Sequence, residues 1–388
     1  MTQFWSPVSG GVKRYLLEKR AFLERETTHE HVLIVPGPAD RTERNGRMTL
    51  REIRSPRISS AQYRLVLDPK KVEFWIQQER PDIIEAGCPY QLGWACLRAG
   101  RRLGVPVVGF YHSHFPESYV RTVNRFLGKR LGAICERYSL DYVAKLFGQF
   151  DATLVSSPRL QGILKGLGIR RTRLVPLGVQ TDVFSPERRN AGLRDRIGVG
   201  AQQVLLLFVG RLSREKKLDW LLEAFQTLQR YTGDKFALAI VGDGQEKARV
   251  IEASRAVQGV HVLPYEADPK KLAELYASAD LFVHAGLCET FGLVILEAQA
   301  CGVPAVVFKG SGLDDVAFGG PDFIATDISS EGLAKAILKA YQNDLRAAGA
   351  ACRRAVLDQY PWSTVLRRLF EIYEELIAER RATAGLAV

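Results

Sequence analysis

Residues 284–304 read HAGLCETFGLVILEAQACGVP, and the spacing of apolar and glycine residues along them decides the architecture of the second half of the chain. The stretch continues Leu281-Phe282-Val283, a short apolar run with the character of a buried strand. Glu289-Thr290-Phe291-Gly292 then reads as a turn, in which Gly292 leaves the backbone free to bend sharply or to approach a ligand. From Leu293 the residues are good helix formers, Gly302 stands where a helix stops, and Pro304 follows it. Strand, glycine-bearing loop and helix therefore succeed one another, and the start of the helix offers unpaired N–H groups and a positive dipole end. Glu289 is expected at the ligand edge of the loop and Glu297 about one turn into the helix. Carboxylates are acceptors at neutral pH, so both suit sugar hydroxyls better than phosphates. The same residues also fit a capped helix in which Glu289 complements the dipole and Glu297 is solvated.

On either side of this stretch the pattern repeats. The clearest strands of the first half are His31 to Val35, Ile83 to Glu85, Val107 to Tyr111 and Thr153 to Ser156. The second half restarts with Val204 to Val209, followed by Ala237 to Val241, Val260 to Leu263, Leu281 to His284 and Ala305 to Phe308. Strands alternating with helices predict an α/β fold with parallel sheets. A hinge is expected around Val175 to Val179 and the polar segment Asp182 to Asn190, which holds Pro186. A length of 388 residues suits two domains, 1–180 and 186–364, with residues 365–388 as a final amphipathic helix. The first strand has only Thr2 to Trp5 in which to form.

Composition narrows the class. No apolar run approaches the roughly 18 to 20 residues of a membrane span, and MTQFWSPVSGG lacks the basic and apolar regions of a signal peptide. Cys88, Cys96, Cys135, Cys288, Cys301 and Cys352 are scattered without a CxxC or His/Cys cluster, which points to reduced thiols in the cytoplasm and to no metal site. The net charge of +11 is unevenly spread: residues 1–180 hold 29 of the 54 Lys+Arg and 16 of the 43 Asp+Glu, leaving +13 there and −2 in the remainder. A positive excess confined to one half suggests that this half meets an anionic surface or substrate.

The strand-end loops carry the chemistry, because ligands of such sheets bind beyond the carboxyl ends of the strands. Arg211 and Lys216 follow the strand Val204 to Val209 and converge on one loop, where Arg can clamp two phosphate oxygens and Lys adds a compact charge. A solvated basic loop is the plainer alternative, and it is the expectation for Arg214 and Lys217. Gly242-Asp243-Gly244 forms a tight turn after Val241, where glycines keep side chains out of a ligand's path. Gly10-Gly11 opens the helix Lys13 to Arg25, either at a phosphate or sugar or simply behind an N-cap by Ser9. His112 stands at the carboxyl end of Val107 to Tyr111, with His114 beside it. Arg121, Arg125 and Lys129 recur every fourth residue and are joined by Arg130, so a helix from Arg121 to Phe147 is expected to carry them on one basic, amphipathic face that suits anionic lipid or, equally, plain solvent. A second string, Arg41 to Arg57, is broken by Gly46 and Pro56 and is expected in a loop and strand edge.

Taken in order, Gly10-Gly11, His112, Arg211, Lys216, Gly242-Asp243-Gly244, Glu289 and Glu297 resemble the signature of retaining glycosyltransferases of the GT-B fold, specifically glycosyltransferase family 4, over nearly the whole chain. The resemblance implies two Rossmann-like domains facing a central cleft, with the C-terminal helix crossing back to the N-terminal one. It implies a nucleotide diphosphate sugar as donor, transferred without a metal or other cofactor and with retained anomeric configuration. Arg211 and Lys216 then hold the diphosphate, Glu297 the ribose, and Glu289 with Thr290, Phe291 and Gly292 the sugar. His112 lies beside the transferred sugar, and Gly10, Gly11, Gly242 and Gly244 line the donor. A histidine segment followed by a basic helix also resembles members that glycosylate membrane lipids. The expected enzyme is a cytoplasmic hexosyltransferase peripheral to the inner face of the cell membrane, using GDP-mannose or a UDP-hexose and a lipid or glycan acceptor. A nucleotide-sugar epimerase and a non-catalytic module for anionic surfaces are the rival readings. Nucleic-acid binding has no motif beyond charge.

Overall fold

The computed structural model describes residues 1–5, 10–58, 63–112, 114, 116 and 128–385. The chain forms two compact units: Met1–Pro176 with Trp362–Val388, and Leu177–Pro361.

The first unit holds two sheets. In one, β1 (His31–Gly37) lies parallel to β3 (Met48–Arg54), and β2 (Arg41–Asn45) adds an antiparallel edge. The other runs β4 (Ile84–Ala86), β5 (Val107–Tyr111), β6 (Ala152–Val155) and β7 (Thr172–Leu174), all parallel. Met1 and Thr2 bridge them without forming a strand: the terminal amine donates to Glu85 O at 2.7 Å, Gly87 N–H to Met1 O at 2.7 Å, and Thr2 N–H to Ile34 O at 3.3 Å.

Two expectations are corrected here. Alternation alone predicts parallel strands throughout, yet β2 and β3 form a hairpin whose turn holds Gly46 at φ +56, and the Asn45-Gly46 dipeptide is the signal for it. The arginine string begins, as expected, on a strand edge, but it does not stay there. Arg41 and Arg44 lie on the exposed edge strand, whereas Arg51 is buried against Glu79 and over the Trp75 ring at 4.0 Å. A continuous helix from Arg121 to Phe147 is likewise not formed: Gly128, at φ +86, caps a helix that begins at Lys129. Arg121 and Arg125 lie outside the described residues.

The second unit is built on one six-stranded parallel sheet. Its strands are β8 (Val204–Val209), β9 (Phe236–Val241), β10 (Val260–Leu263), β11 (Leu281–His284), β12 (Ala305–Phe308) and β13 (Ile324–Ala325). β8, β9, β11 and β12 are buried at every residue, as continuous apolar runs covered on both faces must be. Counted within the unit, the order is 3-2-1-4-5-6, and the chain reverses direction across the sheet between β8 and β11. Ligands of such sheets bind at that switch point.

The C-terminal helix Trp362–Gly385 belongs to the first unit. Phe370 stacks on Phe22 of the first helix, Gly11–Glu26, at 5.8 Å, and Arg380 pairs with Asp151. Among the described residues no helix is long and apolar enough to cross a membrane.

Candidate active site

The loops after β8 and β11 flank the switch point of the second unit. After β8 the chain passes Arg211, makes a 3-10 turn at Arg214–Lys216, and enters the helix Leu218–Thr232 through Lys217 at φ +51. A left-handed lysine is a rare conformation, and here it joins the short turn directly to the helix. After β11 the chain runs through Gly286 and Glu289 to Gly292, the left-handed cap of the helix Leu293–Ala300. A Cβ on Gly292 would stand 2.5 Å from Leu313 Cδ2, so packing as well as backbone conformation requires glycine there.

These two loops bring Lys216 and Glu289 into contact: the ammonium pairs with Glu289 Oε1, at 16% and 19% side-chain exposure. Glu289 N–H donates to Ser311 O at 2.9 Å, which pins the loop from its other side. Arg211 is exposed and makes no ion pair among the described residues. Glu297 is buried rather than solvated, and Tyr276 donates its hydroxyl to Oε2 at 2.9 Å. Phe291 is buried and Thr290 half-buried.

The Gly242 and Gly244 positions have a physical cause inside the protein. A Cβ at 242 would lie 2.0 Å from Gly210 O, and one at 244 would lie 2.3 Å from Leu212 O. Leu212 N–H donates to Asp243 O at 2.8 Å, and Glu246 N–H to Leu212 O at 3.0 Å. The glycines thus let the loop after β9 lie against the Arg211 loop and support it. Arg214 pairs with Glu246 and stays exposed, while Lys217 lies over Trp220 at 4.6 Å.

In the first unit His112 follows β5 and is half-buried. Its ring stacks on Phe110 with centroids 3.9 Å apart, and Tyr15 lies at 5.5 Å. Burial pulls its pKa down to about 4 although the Glu85 carboxylate works the other way, so the imidazole is neutral at pH 7. His114 is tied to Tyr111, with Oη and Nδ1 at 2.8 Å. Gly10 is exposed and is the N-cap of the first helix, with no side-chain cap bond; Ser9 lies outside the described residues. Arg130 is exposed.

Sequence reading did not single out the group that backs His112. Glu85 Oε2 accepts from Tyr15 Oη at 2.9 Å, from Lys19 Nζ at 2.8 Å and from Tyr373 Oη. Lys19 also donates to Tyr373 Oη at 2.9 Å. Burial alone would raise the Glu85 carboxyl, but the Lys19 ammonium, the terminal amine and the hydrogen bonds outweigh it and leave it far below the carboxylate range. Three separated segments build this group, so no local pattern announces it. His284 and Tyr276 were missed as well. His284 opens the quoted stretch and stands at a strand end, which is the signal that applied to His112.

Residues 9–183 match the profile described as Glycosyltransferase Family 4, and residues 193–354 match Glycosyl transferases group 1. A GDP-mannose-dependent alpha-(1-6)-phosphatidylinositol dimannoside mannosyltransferase of Mycobacterium tuberculosis is 32% identical over 323 residues, covering 81% of this chain and 80% of that protein. A GDP-mannose-dependent alpha-mannosyltransferase of Mycolicibacterium smegmatis is 30% identical over 376 residues, covering 93% and 92%. Among solved structures, a sucrose-phosphate synthase from Thermosynechococcus elongatus superimposes with a TM-score of 0.74 at 19% identity, covering 96% of this chain and 94% of that one. The chain belongs to glycosyltransferase family 4 and is a hexosyltransferase of the GT-B type.

Proposed function

We propose that this enzyme transfers mannose from GDP-mannose, with retained anomeric configuration, to a hydroxyl of a membrane lipid or cell-envelope glycan. The observation that carries the donor site is the Lys216–Glu289 pair at the switch point, with exposed Arg211 on the same loop. An ammonium and a guanidinium on one loop complement a diphosphate and offset the charge that grows on it as it departs. No metal is required for that role. Glu289, released from Lys216, accepts from sugar hydroxyls together with the backbone of Thr290 to Gly292. Glu297, oriented by Tyr276, accepts from the ribose. His112 is assigned to a hydroxyl of the transferred sugar, because a neutral imidazole both donates and accepts a hydrogen bond. A departing β-phosphate oxygen takes the acceptor's proton on the same face, so retention needs no carboxylate nucleophile.

Both relatives named above are GDP-mannose-dependent, and this favours the guanine donor. A UDP-hexose donor is the rival. The lipid acceptor is favoured by the helix Lys129–Phe147, where Leu131, Ile134 and Tyr138 are exposed on one side with Arg130 and Arg137. Apolar side chains flanked by cations suit the interface of an anionic membrane. On this reading the enzyme works at the cytoplasmic face of the cell membrane as a peripheral protein.

The test is nucleoside diphosphate release from GDP-mannose, UDP-glucose and UDP-N-acetylglucosamine, with and without a lipid extract. GDP release that needs the extract supports the proposal. UDP release replaces the donor, and altered sugar formed without an acceptor points to epimerisation. Proton NMR of the product with a soluble acceptor reads the anomeric configuration, and a β-mannoside would contradict retention.

A further inference from the structure

His284 is the last residue of β11, its side chain is 1% exposed, and none of the roles above uses it. Gly286 N–H donates to Nδ1 at 3.0 Å, so that nitrogen carries the lone pair and the ring proton sits on Nε2. Nε2 faces Glu289 Oε1 at 3.9 Å, and Phe208 lies against the ring at 5.2 Å. Burial, aided by the nearby Lys216 ammonium, holds the imidazole well below its ordinary pKa and therefore neutral. The surroundings are shaped for this pair. A Cβ on Gly286 would lie 2.6 Å from His284 Cε1 and 3.2 Å from Glu289 Oε1, so any side chain there displaces one or the other.

A buried N–H directed at a carboxylate it does not yet reach has one evident use at this site. Lys216 holds Glu289 as the structure stands, but a bound diphosphate competes for that ammonium. Glu289 then loses its strongest partner at the moment it must be aimed at the sugar, and a carboxylate left without a donor in a half-buried loop is costly. We propose that His284 is a positioning residue for Glu289, its Nε2–H closing on Oε1 when the donor diphosphate draws Lys216 away. A neutral donor suits the task, because it fixes one oxygen and leaves acceptor sites of the carboxylate for sugar hydroxyls. Groups that orient a functional residue from behind are worth about 10- to 100-fold in metal sites, and a similar factor is expected here.

The inference rests on Glu289 facing the sugar, so E289Q is measured alongside. The readouts are kcat with the active donor and the Kd of GDP by calorimetry. H284L should lower kcat by roughly 10-fold or more with GDP affinity unchanged, whereas H284Q, which keeps an N–H near the ε position, should stay within a few-fold of wild type. G286A, which forces the ring and carboxylate apart from outside, should fall as H284L does and decides the matter if H284L does not fold. Wild-type kcat in both H284L and G286A overturns the proposal, as does an equal loss in H284L and H284Q, or GDP affinity that falls in step with kcat. Normal turnover in E289Q would instead remove the reading of Glu289 on which it rests.

Discussion

Each unit carries an acid–base pair beside its candidate site residue, and the two pairs are held differently. Lys216 and Glu289 keep 16% and 19% of their side chains exposed and come from loops at the rim of the sheet. Lys19 and Glu85 keep 6% and 9%, and two tyrosine hydroxyls close around them. A pair at the rim can be separated by an incoming diphosphate, because the diphosphate replaces the carboxylate at Lys216 and Glu289 stays within reach of another donor, the His284 ring, and of a bound sugar. A pair in the interior cannot, because each charge has given up its water and depends on the other. The first is suited to exchange partners during a reaction, and the second to fix the first helix, β4 and the C-terminal helix in one arrangement behind Tyr15 and His112.

The largest consequence of this difference is in stability. E85A leaves the Lys19 ammonium buried without its carboxylate and should cost about 3–5 kcal/mol in urea unfolding, whereas E289Q should cost no more than about 1 kcal/mol. Equal costs would erase the distinction. In activity the order reverses: K216A should lower turnover by a factor of order 10², which is about 2.7 kcal/mol of transition-state stabilisation. Near-normal turnover would remove Lys216 from the phosphate.

The pH dependence sharpens the contrast further. His112 has a folded pKa of about 4 against an ordinary value of 6.5. The unfolded chain therefore binds its proton first, and the stability His112 contributes is present above 6.5 and lost as pH falls towards 4, by up to about 3 kcal/mol. Glu85, also depressed, adds a loss in the same direction once pH falls below the ordinary carboxylate range. H112Q should flatten the first part of that slope in unfolding curves measured from pH 7 to pH 4, and an unchanged slope would place its origin elsewhere. The smallest effect is expected at the surface. Serine at Leu131, Ile134 and Tyr138 together should weaken co-sedimentation with anionic vesicles and leave turnover of a soluble acceptor within about 2-fold, as surface changes away from a site commonly do. Wild-type vesicle binding would exclude that face.

The same contrast governs what could be read from the sequence. In the second unit, Val204–Val209, Val260–Leu263, Leu281–His284 and Ala305–Phe308 are strands over the residues at which their apolar runs begin and end. Each loop there follows its strand directly, so Arg211, Lys216 and Glu289 could be placed at the rim from local pattern alone. Their pairing could not, because it depends on β8 lying beside β11, 73 residues apart at the contact. In the first unit β5 was legible for the same local reason. Its antiparallel hairpin and the break at Gly128 carried glycine signals that periodicity outvoted. The Glu85 group joins partners 66 to 288 residues away from the carboxylate, and burial of charge at that range leaves no periodic trace.

Lys216 is assigned to the diphosphate and Glu289 to the sugar, although the two are paired in the structure. Calorimetric titration of GDP into wild type, K216A and E289Q, with turnover measured on the same preparations, tests that assignment most directly. K216A is expected to weaken GDP binding, whereas E289Q should retain wild-type affinity and lose transfer. GDP affinity that falls equally in both variants would contradict the assignment.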